Sequence, residues 1–168
     1  MDLQNDTRKP AAQVGLFSAE RPAYWHRQHA PWSWLLYGIA AIILASAVLT
    51  HDVAAGWIML PSGSIVCLLA TAFHHLTVKD LGQSLSVRFG PVPLFGMSIP
   101  YTDILSVTAG RTTLLDGWGI HYSLRGGQVW NVWGRECVVI HRRRSILRLG
   151  TDDMESLLAF LQSQLTKK

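Results

Sequence analysis

Residues 117–144 read "GWGIHYSLRGGQVWNVWGRECVVIHRRR", and the parsing of this run decides the fold of the second half of the chain. Its apolar residues, Trp118, Trp130 and Trp133 among them, alternate with polar ones at the period of two that belongs to strands. Turn signals divide it at "LRGG" (124–127) and "WGRE" (133–136), and it closes on Arg142, Arg143 and Arg144 in "RRRS" (142–145). "GIHYSL", "QVWNVW" and "CVVIHRR" are therefore expected as strands of one antiparallel sheet.

Working outward extends the pattern. "SILRLG" is a further strand, after which "TDDMESLLAFLQSQL" changes period and sets Met154, Leu157, Leu158, Leu161 and Leu165 on one helical face. Thr151 or Asp152 is the expected cap, and Asp153 and Glu155 suit the positive N-terminal end of that helix. Toward the N-terminus, "HLTVKD", "SLSVRFG", "MSIPY" and "ILSVTAG" read as strands, with a turn at "GPVP" (90–93). Residues 76–168 are thus expected to form an antiparallel barrel or sandwich of seven or eight strands, capped by a C-terminal helix.

Upstream the chemistry is different. Residues 32–50 and 53–73 contain no charged side chain, and about 20 apolar residues suffice to cross a bilayer. The expectation is a hairpin of two transmembrane helices over residues 32–75, turning at His51 and Asp52. Trp32, Trp34 and Tyr37 would form an interfacial belt. The composition agrees: of 168 residues, 49% are hydrophobic and 15% charged, with seven Trp, against about 25% charged in an average soluble domain. "LASA" at 44–47 resembles a signal-peptidase site, but a long polar segment precedes it and a second apolar stretch follows. Within the second stretch, "LPSGS" places Pro61 and Gly63 at mid-span. Helix packing explains these better than a transport site, and Gly38, Ala41 and Ala45 offer the partner surface. Arg8, Lys9, Arg21 and Arg27 precede the first stretch, none lies in the turn, and eleven Lys and Arg follow the second. The positive-inside rule then puts both termini in the cytoplasm of a multi-pass protein of the bacterial inner membrane.

Around "FG" (89–90), "IPYTDI" (99–104), "GWGI" (117–120), "WGRE" (133–136) and "GTDD" (150–153), residues 74–166 resemble the bacterial pleckstrin-homology-like (PH-like) domains. Those domains sit beside membrane spans in small bacterial proteins. The resemblance implies a binding scaffold with no shared active site. The spaced Lys/Arg signature with which eukaryotic relatives hold phosphoinositides is missing, since the first hairpin offers only Lys79 and Arg88.

Catalytic chemistry finds no foothold. The chain has no GxSxG, no Walker-type loop and no paired carboxylates in an apolar run. His26, His29, His74 and His75 would share the cytoplasmic side, but no Cys or carboxylate pattern completes a metal site. Cys67 and Cys137 read as small buried apolar residues. Neither a cofactor nor a metal is expected. Arg142, Arg143 and Arg144 are candidates for contact with anionic lipid, each worth about 1 kcal/mol near such a surface. Nucleic acid is not an expected partner, because the aromatics alternate as core residues instead of forming a stacking platform. Residues 1–31, with Pro10, Pro22 and Pro31, are expected as an extended arm that a partner holds. Together these features suggest a non-catalytic accessory subunit of a larger membrane complex, respiratory or photosynthetic. The alternatives are a stand-alone sensor of anionic lipid, or a small transporter or metal-handling protein.

Overall fold

The computed structural model describes residues 23–112, 119–123 and 126–167. Residues 1–22 of the expected arm, and Trp118 of the "GWGI" motif, lie outside the described residues. Among the described residues the chain runs β1 (Trp25–His29), α1 (Ser33–Leu49), α2 (Val53–Ala72), β2 (His75–Asp80), β3 (Ser84–Gly90) and β4 (Gly96–Pro100). A single 3-10 turn, Tyr101–Asp103, leads into β5 (Ile104–Arg111), β6 (Gly119–Tyr122), β7 (Gln128–Asn131), β8 (Glu136–Arg142), β9 (Ile146–Gly150) and α3 (Met154–Thr166).

The strands form two sheets, one ordered β1-β2-β3-β4 and the other β5-β8-β9-β7-β6. All pairs are antiparallel except β7 with β9, because the β8–β9 hairpin inserts between β5 and β7. Alternation drives each strand onto a shared core. The first sheet contributes Leu76, Val78, Leu85, Val87, Phe89 and Ile99, and the second Val107, Trp130, Val138, Ile140, Leu147 and Leu149. Leu157 and Leu161 of α3 complete the core, with α3 lying on β5 and β8.

This architecture corrects the expected fold on three points. First, among the described residues only α2, with 20 residues, is long and apolar enough to cross a membrane; α1 stops at 17, or about 25 Å at 1.5 Å per residue. The expected pair of full-length transmembrane helices is thus reduced to one candidate span, α2, with a shorter apolar helix packed beside it. Trp32 caps α1 instead of extending it, because its indole is committed to the second sheet. Second, the sheets of four and five strands do not join into a barrel, and α3 does not close one. The chain leaves β4 through the 3-10 turn and starts a new sheet at β5, so no ladder connects the two among the described residues. Third, the described residues hold nine strands, because residues 25–29 of the expected arm form β1 and pair with β2 from Trp25↔Lys79 to His29↔His75.

α1 and α2 pack side by side, with Asp52 capping α2 through Ala54 N–H and Ala55 N–H. The buried positions of α1 are Ser33, Ala40 and Ala47, one heptad apart, and those of α2 are Gly63, Ala70 and Ala72. At the crossing, a Cβ on Gly63 would come within 2.8 Å of Leu44 and 3.2 Å of Ile43. Gly63 thus sits in the helix contact. Gly38, Ala41 and Ala45 are exposed, and a Cβ on Gly38 would meet nothing within 4 Å. They lie one residue, about 100° of helix rotation, beyond the face in use. Pro61 is exposed too, and α2 runs through it without interruption. Cys137 is buried as expected, whereas Cys67 is only half-buried.

Candidate functional site

The part of the molecule where most specific interactions converge is the base of the helix pair. Pairing of His29 with His75 brings the start of α1 and the end of α2 to one end of the first sheet. Ala30 N–H extends that ladder to His74 O at 2.9 Å. Ser33 Oγ bonds Ala30 O at 2.7 Å and lies 2.9 Å from His74 Nδ1, and Tyr37 O–H donates to Thr71 Oγ1 at 3.2 Å. Two side chains reach across to the second sheet. Trp32 Nε1–H donates to Val132 O at 2.8 Å and Gln28 Nε2–H to Trp133 O at 2.9 Å. The receiving turn is shaped by Asn131, which is fully buried, donates to Gly134 O and accepts from Trp133 N–H. Phe73 at the end of α2 packs on Phe89 at 5.0 Å and on Phe95 at 5.1 Å between ring centroids.

The expected belt divides accordingly. Trp32 is half-buried in this joint and Tyr37 is tied to α2, while Trp34 is 70% exposed. Beyond the joint the helices carry an apolar skin: Leu35, Ile42, Val48, Val53, Trp57 and Ile58 are all exposed. Ser62 and Ser64 in that skin turn their hydroxyls back on the helix, donating to Ile58 O at 2.7 Å and Leu60 O at 2.8 Å.

Three of the four histidines assemble at the base. The rings of His29, His74 and His75 lie 5.8–6.1 Å apart, centroid to centroid. Burial pushes His75 down to about 4, and the cationic fields of Arg27, His29 and His74 act in the same direction. Among the described residues, no set of three His, Cys, Asp or Glu side chains is placed to hold a metal ion. His26 faces the other way and pairs with Asp152 of the α3 entry. Asp153 stands at the cap of α3 without a side-chain capping bond and accepts from Tyr24 O–H at 3.2 Å. Asp152, expected with Thr151 as a cap, and Asp153, expected at the positive end, instead fasten the start of α3 to residues 24–26. Burial, reinforced by Asp153, raises the Tyr24 phenol, and burial with the 2.6 Å bond to Asp80 raises that of Tyr101.

The outer face of the first sheet is basic. The register sets Arg27, Thr77 and Arg88 side by side across β1, β2 and β3, with Lys79 two residues along β2 on the same face. Arg27 Nε–H donates to Thr77 Oγ1 at 3.3 Å, and its guanidinium lies 5.5 Å from the Trp25 ring centroid. Two grooves of about 340 and 410 Å³ flank Arg88 and Ser86 beneath residues 91–95. Sequence reading placed Lys79 and Arg88 on one hairpin but missed Arg27, which comes from a distant segment. Only strand pairing across α1 and α2 joins them.

The Arg142–Arg144 tip lies elsewhere. Arg143 N–H donates to Asp103 O at 3.1 Å, two residues after Tyr101, whose hydroxyl bonds Asp80 at the far end of β2. Arg143 and Arg144 are exposed, and a hollow of about 460 Å³ lies between the tip and Asp103. Five residue steps of β2 separate this end from His75, about 17 Å. No family model matches the chain, and no curated protein matches it.

Proposed function

We propose that this chain is a non-catalytic accessory subunit of a larger bacterial membrane complex, anchored in the inner membrane through α2 with its two sheets and α3 on the cytoplasmic side. The observation that carries this reading is the exposed apolar skin of the helix pair, from Leu35 and Ile42 to Val53 and Trp57. A continuous surface of that kind needs lipid or a partner's apolar helices to cover it. The inward-turned hydroxyls of Ser62 and Ser64 favour the same environment, since a hydroxyl in hydrocarbon needs an acceptor within its own helix. The excess of Lys and Arg beside the apolar segments favours the cytoplasmic side. Rigid coupling at the base suits a part that holds a cytoplasmic surface at a set position over a partner. The resemblance of residues 74–166 to bacterial PH-like domains, which serve as binding scaffolds, points the same way. Lipid sensing by Arg142–Arg144 loses ground, because those residues sit at the end of β2 away from the helices.

The test is extraction from native membranes in mild detergent with the chain tagged at Lys168, followed by mass spectrometry of co-migrating proteins. A stoichiometric integral-membrane partner supports the reading. A lone monomer or homo-oligomer overturns it.

A further inference from the structure

We propose that the outer face of the first sheet binds the headgroup phosphate of an anionic phospholipid, with Arg27 and Arg88 as the principal contacts and Lys79 as the third cation. Arg27 and Arg88 flank Thr77 on adjacent strands, which puts their backbones about 10 Å apart. Two guanidinium groups on stems of that separation can close on one phosphate, the geometry for which Arg forks are suited. The Arg27–Thr77 bond already draws Arg27 over β2 toward Arg88. Opposite Arg88 stands Gly96, where a Cβ would come 3.0 Å from Arg88 Cγ, so the missing side chain leaves room for the arginine stem. Ser84, Ser86 and Ser98 add hydroxyls on the same face. Among the described residues that face carries no Asp or Glu: Asp80 turns inward to Tyr101 and Gly82, and Asp152 meets His26 on the opposite side of β1. Three cations without a counter-charge make an anion site.

Location selects the lipid as the source of the anion. The face begins at His75, two residues beyond the C-terminal turn of α2, and one groove is lined by His75, Gly90 and Arg88. Its rim, residues 91–95, stacks Phe95 on Phe73 and leaves Leu94 and Phe95 exposed beside the helix end. With α2 in lipid, these two side chains reach acyl-chain depth while Arg88 and Arg27 lie at headgroup level. This inference rests on the placement of α2 in lipid, and not on the identity of any partner protein.

The experiment is native mass spectrometry of the full chain in detergent micelles supplied with either phosphatidylglycerol or phosphatidylcholine. The expected result is one phosphatidylglycerol retained with at least tenfold preference. Arg27→Ala and Arg88→Ala should each weaken retention about fivefold, the factor given by ~1 kcal/mol per basic residue at an anionic surface. Arg143→Ala and Arg144→Ala should leave it unchanged. All four side chains are exposed or surface-lying, and matching thermal unfolding of each variant confirms that its fold is intact. Equal retention of the two lipids overturns the site, as does loss in the Arg143 and Arg144 variants instead of those at 27 and 88. Displacement of the lipid by millimolar inorganic phosphate also overturns it, in favour of a free-anion site, and displacement by an acidic peptide does so in favour of a protein ligand. A chain that stays dispersed without detergent refutes the placement of α2; one that needs detergent but shows no preference refutes the headgroup site alone.

Discussion

Substituting Gly150 by Ala probes the joint between the helix pair and the sheets from the end of β9, without touching the helices. Gly150 ends β9 opposite Cys137, and a Cβ there would come within 2.6 Å of Asn131 Cγ and 2.9 Å of Asn131 Cβ. Asn131 is fully buried, so its carboxamide has no open side to retreat into. Moving it sacrifices the bonds to Gly134 O and from Trp133 N–H, each worth about 1 kcal/mol. Forcing a methyl into a filled interior adds about 1–3 kcal/mol. The expected destabilisation is therefore about 3–5 kcal/mol, which for a chain of this length lowers Tm by roughly 6–20 °C. Thermal unfolding of the full chain in detergent, followed by near-UV circular dichroism, reads this directly. Because the 131–134 turn accepts from Trp32 and Gln28, limited proteolysis should also open the segment between β1 and α1. In Gly150→Ala/Asn131→Ala the carboxamide is gone and only the 2.9 Å approach to the Cβ at 131 is left, so the second change should cost less than it does alone. A Tm within 2 °C of the parent, or strictly additive effects in the double variant, would refute the argument that Gly150 is held by the Asn131 carboxamide.

Other parts of the structure make separate predictions. His75 titrates near 4 when folded against an ordinary value near 6.5, so between those values the unfolded chain binds the extra proton. Stability should be intact above about pH 6.5 and fall as pH drops toward 4; His75→Gln should flatten that part of the stability profile, and an unchanged slope would count against it. Trp32→Phe removes the donor to Val132 O and should cost about 1 kcal/mol. Trp34→Phe, at a 70% exposed position, should leave the Tm of the detergent-solubilised protein unmoved. Gly63→Leu should separate α1 from α2 at a cost of about 1–3 kcal/mol, read as loss of a disulfide cross-link engineered between the helices. Gly38→Leu, with open space around it, should preserve that cross-link.

Much of the strand layout was legible along the chain. The segments beginning at His75, Ser84, Met97, Ile104, Gly119, Gln128, Cys137 and Ser145 all carry strands, because each is a short strand-type run set off by turn signals. β1 was not legible, for a definite reason. Its inward residues, His26 and Gln28, are polar and bond to Asp152 and the Trp133 carbonyl, so no apolar alternation marks the strand. Hydrophobic periodicity detects burial by apolar contact; it is blind to burial by hydrogen bond. The basic face of the first sheet stayed hidden along with β1, since Arg27 is one of its members.

The helices show the same division. Uncharged composition is a property of the segment itself, and it determined that residues 32–50 and 53–73 would be apolar helices. Which side of α1 meets α2 is not encoded that way, because α1 is apolar all round and small residues occur on more than one face. Packing of Leu44 onto Gly63 chose the face of Ala40 and Ala47 over that of Gly38, Ala41 and Ala45. Likewise the turn at 142–145 was readable from its residues, but its distance from the helices was set by strand order, through Asp103 and Tyr101. Local chemistry determines what each segment can be. Which segments meet, and therefore where charge gathers, depends on long-range pairing, which leaves no periodic trace in any one stretch.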